Sequence, residues 1–263
     1  MTGKNPISAS KARSLAKGNA IDKVCAIFSL LSERSPLRLN EITQATGLNR
    51  VTALRILDAL RTNDFIQRLE NPPRYSFGPE VAAMTAAPSQ LTGLKELARP
   101  SLVRLATLSG DAALLSIRSG LESICVDRVI GDYPINAHFL KTGTRRPLGI
   151  GAGSMGLLAW LPAAERDAIV NISASRADSF PNINDRVLHA HIRSAMEKGY
   201  VVMVDVVIEK LGGMARPIYD QQGNIIAAIS IVALKERILD REDDLAAALK
   251  KEQAFISKKL RSD

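Results

Sequence analysis

The sequence predicts an α+β protein of two domains, a winged helix-turn-helix at the N-terminus and a mixed α/β unit after it. Three helical segments separated by short breaks are followed, after Phe65, by the period-two stretch "FIQRLENPPRYSFG". Beyond Gly110, strand patterns alternate with helical ones. The chain has 263 residues, 46% of them hydrophobic, which is enough to bury the cores of both domains.

The first two helices are indicated by their apolar spacing and by residues that favour helix ends. Residues 19–32 repeat apolar side chains at helical spacing, which predicts one buried stripe of Ile21, Val24, Cys25, Phe28 and Leu31. Pro36 breaks this helix. Asn40 is the predicted N-cap of the second helix, and Gly47 is the glycine that ends it.

A third helix is predicted over "LNRVTALRILDALRTNDF", almost directly after Gly47. Its opposite face is basic and amide-bearing, with no carboxylate before Asp58. The hairpin that follows bends at Asn71-Pro72-Pro73. The spacing of three to four predicts a buried stripe made of Leu48, Val51, Ala53, Leu54, Leu57 and Leu60.

This layout predicts that the first residues of the third helix enter a DNA major groove, which is about 12 Å wide. Arg50 or Arg55 could bind guanine and Asn49 could bind adenine. The net charge of +8 favours a polyanionic partner. A packing unit with merely solvated charges is the alternative. The residues predicted to contact double-stranded operator DNA are Arg38, Asn49, Arg50, Thr52, Arg55, Arg68, Arg74 and Tyr75.

The chain before the first helix is polar and basic, and it predicts a flexible arm carrying Lys4, Lys11, Arg13 and Lys17. It does not have the pattern of a secretory signal, and the longest apolar runs are about half the ~20 residues that span a bilayer. Cys25 and Cys125 form no CxxC or zinc spacing. These features favour a cytoplasmic protein without a membrane partner.

The second unit is predicted to contain two hairpins, one turning near 119–120 and one at 221–224. Helices are predicted over 162–173, over 184–198 and at the C-terminus, and a strand over "GYVVMVDVVI". Pro100 is predicted to divide the helical stretch before this unit into a linker helix and an opening helix.

The segment Gly151-Ala-Gly153-Ser-Met-Gly156 matches the dinucleotide pattern G-x-G-x-x-G, but its surroundings do not. A cationic, proline-bearing stretch precedes it, whereas that pattern requires a buried strand. Ala152 breaks the hydrolase pattern G-x-S-x-G around Ser154. His189 and His191 are two apart on a helix and face different ways. No catalytic residue, metal or cofactor is therefore predicted.

Segments along the chain from about Ala20 resemble the IclR family of bacterial transcriptional regulators. They include "LRLNEITQATGLNRVTALRILDALRTNDFIQR", "RYSFGPEV", "LARPSLVRLATLSGDAALL", "RRPLGIGAGSMGLLAWLP", "IRSAMEKGY" and "ARPIYDQQGNIIAAISI". The resemblance implies a linker helix, a C-terminal GAF-like α/β ligand-sensing domain, and a homodimer or tetramer. The boundaries it implies are an arm over 1–18, a DNA-binding domain over 19–80, a linker helix over 81–99 and an effector domain over 100–263.

The resemblance also implies an effector pocket beside the glycine-rich turn, where free backbone N–H groups suit a carboxylate. In this chain Asp205 is the sole early carboxylate after "GY", and Arg216 replaces a small residue typical of the family. Arg216 is either the partner of a bound carboxylate or an outward-facing strand residue. The predicted effector-binding residues are Leu148, Gly151, Ala152, Gly153, Ser154, Met155, Asp205, Arg216, Ser230 and Val232.

These observations together predict a regulator of transcription, a repressor or activator of a catabolic operon, that responds to a small organic or aromatic acid. Two alternatives remain open at this stage. One is an NAD-linked enzyme that uses the "GAGSMG" turn, and the other is a DNA-binding regulator whose second domain only oligomerises.

Overall fold

A computed structural model describes residues 17–86, 90–134, 141–175, 180 and 182–260. It divides the chain into two compact units, the first ending at Gln90 and the second beginning at Leu91. This division falls inside the predicted linker, 81–99. Within the described ranges no helix is long and apolar enough to cross a membrane. Lys4, Lys11 and Arg13 of the predicted arm lie outside these ranges, and Lys17 is exposed.

The first unit has the predicted order of three helices and a two-stranded wing. The wing strands are antiparallel, with Ile66 opposite Phe77, and Tyr75 forms a further bridge to Leu37. The elements are α1 (Ala20–Arg34), α2 (Leu39–Thr46), α3 (Arg50–Thr62), β1 (Ile66–Leu69), β2 (Arg74–Phe77) and α4 (Pro79–Ala86).

Side chains next to the helix ends explain where α1 and α2 begin. Asn19 caps α1, because its Oδ1 accepts from the backbone N–H of Ile21 at 2.8 Å. The predicted cap at Asn40 is wrong. The Glu41 carboxylate accepts from the backbone N–H of Arg38 at 2.7 Å, so α2 begins earlier, at Leu39. The predicted end is confirmed at Gly47, which has a φ of 75°.

The core of the first unit uses another face of α1 than the spacing predicts. Ile21 is 73% exposed and Cys25 is also exposed, so the predicted stripe is wrong at both positions. Apolar residues cover more than one side of α1, and packing against α2 and α3 selects the neighbouring side. The buried side chains are Ala26, Ile27, Leu30, Leu31, Leu37, Ile42, Leu48, Ala53, Leu57, Ile66 and Tyr75.

The second unit is built on a six-stranded sheet whose neighbouring strands all pair antiparallel, in the order β5-β4-β3-β8-β7-β6. Both predicted hairpins are confirmed. The elements are α5 (Gln90–Ser109), β3 (Ala112–Ser119), β4 (Glu122–Val129), β5 (Arg145–Pro147), α6 (Ala152–Leu158), α7 (Ala163–Ser175), α8 (Asp185–Lys198), β6 (Val201–Val204), β7 (Leu211–Tyr219), β8 (Ile225–Leu234), α9 (Lys235–Leu239) and α10 (Glu242–Leu260).

The sheet separates two apolar cores. On one face, Met214 and Ile218 pack with α5 and α10. On the other face, Ala215 and Ala228 pack with α6, α7 and α8. The strand predicted after "GY" is shorter than expected, because the chain turns at Asp205, where φ is 58°. The segment from there to Lys210 is consequently a loop rather than a strand.

The predicted break at Pro100 is wrong, because α5 runs through it without interruption. A proline removes one helical hydrogen bond and bends the chain, but it need not end a helix that is held on both sides. Ala98 and Leu102 are fully buried against the sheet. Between them, Arg99 Nη1 donates to Asp127 Oδ1 at 2.7 Å. These contacts offset the loss of the bond at Pro100.

Candidate DNA-binding surface and effector cavity

The start of α3 is fixed by two side-chain hydrogen bonds. Asn49 is its N-cap, and its Oδ1 accepts from the backbone N–H of Thr52 at 2.8 Å. Arg50 Nη1 donates to Asn40 Oδ1 at 3.2 Å and so ties α3 to α2. Asn49, Arg50 and Arg55 are exposed, while Thr52 is half-buried. The polar face predicted from the sequence is therefore on the surface of this unit.

The remaining predicted DNA-binding residues are placed differently from one another. Arg38 and Arg68 are exposed, and Arg68 Nε lies 3.5 Å from Glu70 Oε1 on the wing. Arg74 is half-buried. Tyr75 is only 6% exposed, and the prediction that it lies on the DNA-facing surface is wrong. Its backbone pairs with β1 on one side and with Leu37 on the other, and its ring belongs to the apolar core of the first unit.

Sequence reasoning placed Val51 in the buried stripe of α3, but this side chain is 68% exposed. Leu48, Ala53 and Leu57 occupy the core-facing positions instead. The exposed face of α3 thus carries an apolar side chain between its polar ones. The exposure of Val51 could have been predicted from the helical spacing around Ala53 and Leu57, because that spacing places Val51 to the side of the buried stripe.

The second unit contains an open cavity with about 650 Å³ of empty space, part of which is open to solvent. Its backbone wall is the turn from Ile150 to Ser154, together with Gly212 and Gly213 of β7. The other lining residues form a polar and an apolar group. They are Ser116, Ser123, Cys125, Thr144, Arg146 and Ser230 on the polar side, and Leu114, Met203, Val206, Val207, Ile208, Leu211 and Val232 on the apolar side.

Most of the predicted effector-binding residues line this cavity, but not all of them do. Those that line it are Gly151, Ala152, Gly153, Ser154, Ser230 and Val232. Leu148 and Met155 are fully buried in the apolar core behind the turn. Their placement in the pocket is therefore wrong, because the turn presents its backbone and small residues to the cavity and packs its large side chains away from it.

Asp205 lies outside the lining, and the prediction that it faces the effector is wrong. Its carboxylate accepts from the backbone N–H of Lys210 at 2.8 Å and forms an ion pair with Lys235 Nζ. The hydrogen bond from Lys235 is the main reason why the pKa of Asp205 lies below its usual value. The contacts of Asp205 thus hold together the two ends of the loop that carries Val206, Val207 and Ile208 over the cavity.

Arg216 does not reach the cavity. Gly213 lines it, and Arg216, three residues further along β7, is on the opposite face of the sheet. Met214 and Ile218 share the parity of Arg216 and pack with α5 and α10. Of the two alternatives for Arg216, the carboxylate partner is wrong, and the alternation of strand residues accounts for its position.

The cation that does line the cavity is Arg146, which the sequence analysis did not identify. It lies on β5, where the neighbouring Arg145 turns the other way and donates from Nη1 to Glu122 Oε2 at 3.2 Å. Burial lowers the pKa of Arg146 to about 10, which still leaves it protonated at neutral pH. Consecutive strand residues point to opposite faces, so the pair "RR" before Pro147 was the available signal.

Two glycines of the turn make room for polar groups of the lining. A Cβ on Gly151 would stand 3.0 Å from Arg146 Nη1, and φ at Gly151 is 94°. A Cβ on Gly153 would stand 3.1 Å from Ser230 Oγ and 3.2 Å from Ser116 Oγ. The G-x-G spacing therefore leaves space beside a guanidinium at one position and beside two hydroxyls at the other.

Two more lining residues are defined by the hydrogen bond that one makes and by the protonation state of the other. Ser154 Oγ donates to the backbone oxygen of Pro147 at 2.9 Å, which holds the turn in place. Burial raises the pKa of the Cys125 thiol to about 11, so it is protonated at neutral pH. Among the described residues, no group of three His, Cys, Asp or Glu side chains could hold a metal ion.

Two family models together match most of the chain. The model for the bacterial transcriptional regulator IclR C-terminal domain matches residues 88–258, and the IclR helix-turn-helix model matches residues 20–70. The chain belongs to the IclR family. It is a DNA-binding transcriptional regulator of the IclR type, as the sequence predicted, and the predicted fold class is confirmed.

Curated relatives of this IclR-family chain are named as regulators. It is 24% identical to the HTH-type transcriptional regulator KipR of Bacillus subtilis over 246 residues, which cover 93% of this chain and 98% of KipR. It is 26% identical to the HTH-type transcriptional repressor AllR of Escherichia coli over 238 residues, 89% of this chain and 85% of AllR. These names indicate a regulator rather than an enzyme.

Solved structures share the fold of this IclR-family chain. An IclR homologue from Microbacterium hydrocarbonoxydans, complexed with 4-hydroxybenzoate, has a TM-score of 0.78 at 18% identity, covering 93% of this chain and 100% of that one. The IclR protein of Thermotoga maritima has a TM-score of 0.67 at 22% identity, covering 92% and 98%.

The dinucleotide interpretation of the glycine-rich turn does not fit this fold. A dinucleotide site of that type lies at the end of a parallel strand in a doubly wound sheet. The strand before Gly151 is β5, a three-residue strand at the edge of an antiparallel sheet. The turn is thus a wall of the cavity in the second unit.

Proposed function

We propose that this IclR-type regulator binds operator DNA through the exposed face of α3 and the wing, and that a small organic or aromatic acid in the cavity alters its operator affinity. A homodimer or tetramer would present two copies of α3 to two half-sites. The target is a catabolic operon, which the protein represses or activates. The single observation that carries the proposal is the half-buried cation Arg146 in the wall of the cavity.

The chemistry of the lining favours an acid. Arg146 is half-buried at the wall, so a carboxylate that binds it has to immobilise less side-chain freedom than on a fully exposed arginine. A guanidinium binds a carboxylate through two parallel charge-assisted hydrogen bonds. The apolar lining, which includes Leu114, Met203 and Val232, would contact the hydrocarbon part of the ligand. The homologue that binds 4-hydroxybenzoate supports the same ligand class.

The cavity is connected to α5 through α9, which offers a route for regulation. The loop over the cavity is tied at Asp205 to Lys235, the first residue of α9. Two residues further on, Arg237 Nη2 donates to the backbone oxygen of Ser109, the last residue of α5, at 2.8 Å, and to Asp111 Oδ2 at 3.0 Å. A ligand that favours one arrangement of the loop would bias α5 through these contacts.

The test compares acids with their neutral amides. Benzoate, 4-hydroxybenzoate and a series of aliphatic acids are titrated calorimetrically into the full-length protein, beside the matching amides. We expect at least one acid to bind about 10- to 100-fold more tightly than its amide, the ratio typical of a charged hydrogen bond. Arg146→Gln should abolish this preference. Arg145→Gln is the matched control, because Arg145 pairs with Glu122 and should leave the preference intact.

The outcomes also separate the two alternatives kept open by the sequence. An amide that binds as tightly as its acid would contradict the role of Arg146 but leave a cavity that binds small molecules. If no acid binds or shifts operator affinity, the second unit acts only in oligomerisation. If NAD stabilised the protein against heat, and if Gly151→Ala removed that stabilisation, the NAD-linked enzyme would be the favoured alternative.

A further inference from the structure

The exposed valine on α3 is not explained by the fold. Val51 is 68% exposed, so the core of the first unit gains little from its side chain. A β-branched residue also lowers the stability of a helix slightly, compared with alanine. Leu48, just before this helix, is buried and belongs to the core of the first unit. An apolar side chain held in solvent at this position suggests contact with something outside the unit.

The surroundings hold Val51 in one orientation. Asn49 is engaged as the helix cap, and Arg50 is tied to Asn40 on α2. The first turn of α3 is thereby fixed on both sides of Val51. Valine has one strongly preferred rotamer in a helix, so the position of its two methyl groups follows from the position of the backbone. The methyl groups of Val51 therefore have a fixed position between polar side chains.

In a helix-turn-helix, the N-terminal residues of the recognition helix meet the edges of the bases in the major groove. The apolar feature that this groove presents is the 5-methyl group of thymine. We infer that Val51 packs against the 5-methyl group of one thymine in each operator half-site, and that it thereby determines part of the sequence specificity. The inference rests on the proposed placement of α3 in the major groove.

The test removes single methyl groups from the DNA. A duplex is first selected from a randomised pool with the full-length wild-type protein, and each thymine of the selected site is then replaced in turn by deoxyuridine. We expect one position per half-site at which the replacement weakens binding about threefold to fivefold, the effect of losing one buried methyl group. Val51→Ala should bind the thymine duplex that much more weakly and should not respond to deoxyuridine at that position.

Two further variants keep the result specific. Ile21→Ala removes an equally exposed apolar side chain from α1 and should reproduce the wild-type deoxyuridine profile. Val51→Thr keeps one of the two methyl groups and should give an intermediate response. A Val51→Ala protein with wild-type affinity and the wild-type profile would overturn the inference, and so would a site at which no deoxyuridine weakens binding. If no duplex is selected at all, the proposed DNA contact of α3 fails with it.

Discussion

The two units place their polar side chains in opposite ways. The first unit carries them on its surface, with Asn49, Arg50 and Arg55 exposed around a core that is almost entirely apolar. The second unit turns polar groups inward: its buried residues include Asp111, Glu122 and Glu252. We therefore expect the first unit to tolerate changes of its exposed polar residues without loss of its core, whereas loss of a buried charged group should destabilise the second unit.

The largest effect that tests this contrast is expected at Asp111. Its carboxylate is 1% exposed and accepts from both Arg237 and Arg241. Asp111→Ala should destabilise the second unit by about 3–5 kcal/mol, because it removes a buried carboxylate and leaves two half-buried arginines without their acceptor. Trp160, the single tryptophan of the chain, packs in this unit, so its fluorescence during urea unfolding measures the loss.

The matched control for Asp111 is a carboxylate in the first unit. Asp58 lies on the surface of α3, with its Oδ1 3.7 Å from Arg61 Nε. Asp58→Ala should change stability by less than about 0.5 kcal/mol, as is usual for exposed pairs. Equal losses from the two substitutions would contradict the contrast between the units.

The next largest effect is expected from two positions on one helix. Leu57 is fully buried, whereas Val51 is exposed on the same helix. Leu57→Ala should cost about 3 kcal/mol, and Val51→Ala should cost nothing or be slightly stabilising. Far-UV circular dichroism of urea unfolding measures both. A comparable loss from Val51→Ala would show that its side chain belongs to the core.

The rates at which the two cysteines react with a thiol reagent provide a chemical comparison of the units. Cys25 is exposed on α1, while Cys125 is 4% exposed at the cavity. Because burial raises the pKa of Cys125 to about 11, a thiol reagent at pH 8 should label it about 100-fold more slowly than Cys25. Raising the pH should speed this slow phase as thiolate forms. Cys25→Ser should remove the fast phase and not change the slow one. Two equal rates in the wild type would contradict the burial of Cys125.

The smallest effects concern the cavity wall. Gly153→Ala should weaken acid binding by about tenfold, because its methyl group would fill space beside Ser116 and Ser230. Arg216→Ala should leave the affinity unchanged, since Arg216 is on the opposite face of β7. Calorimetric titration measures both variants, and a strong loss of affinity in Arg216→Ala would contradict the assigned face.

Local signals in the sequence predicted much of the fold. Gly47 and the turn residues of the two long hairpins impose their conformations on neighbouring residues only, so their effects did not depend on the rest of the chain. Pro100 was predicted wrongly because contacts on both sides hold α5 together. The cap at Asn40 was predicted wrongly because Glu41 offered a competing acceptor.

The candidate site was predictable only in part. The glycine-rich turn and Ser230 line the cavity, as the family resemblance implied. Arg216 and Arg146 are both strand residues, and alternation shows only that neighbours face opposite ways; which of them faces the cavity depends on register against a neighbouring strand. For Arg216 the sequence left both faces open, and the structure excludes the cavity-facing alternative. The assignment of Val51 to the core is wrong because it followed residue type rather than the helical spacing around Ala53 and Leu57.

The most direct test of the proposed regulation is the affinity for a selected operator duplex, measured with and without the best-binding acid, in the wild type and in Arg146→Gln. We predict that the acid changes the operator affinity of the wild type by about fivefold or more, the lower end of typical allosteric coupling. Arg146→Gln should bind the duplex like the ligand-free wild type and not respond to the acid. A response that persists undiminished in Arg146→Gln, or a wild type that no acid affects, would contradict the account.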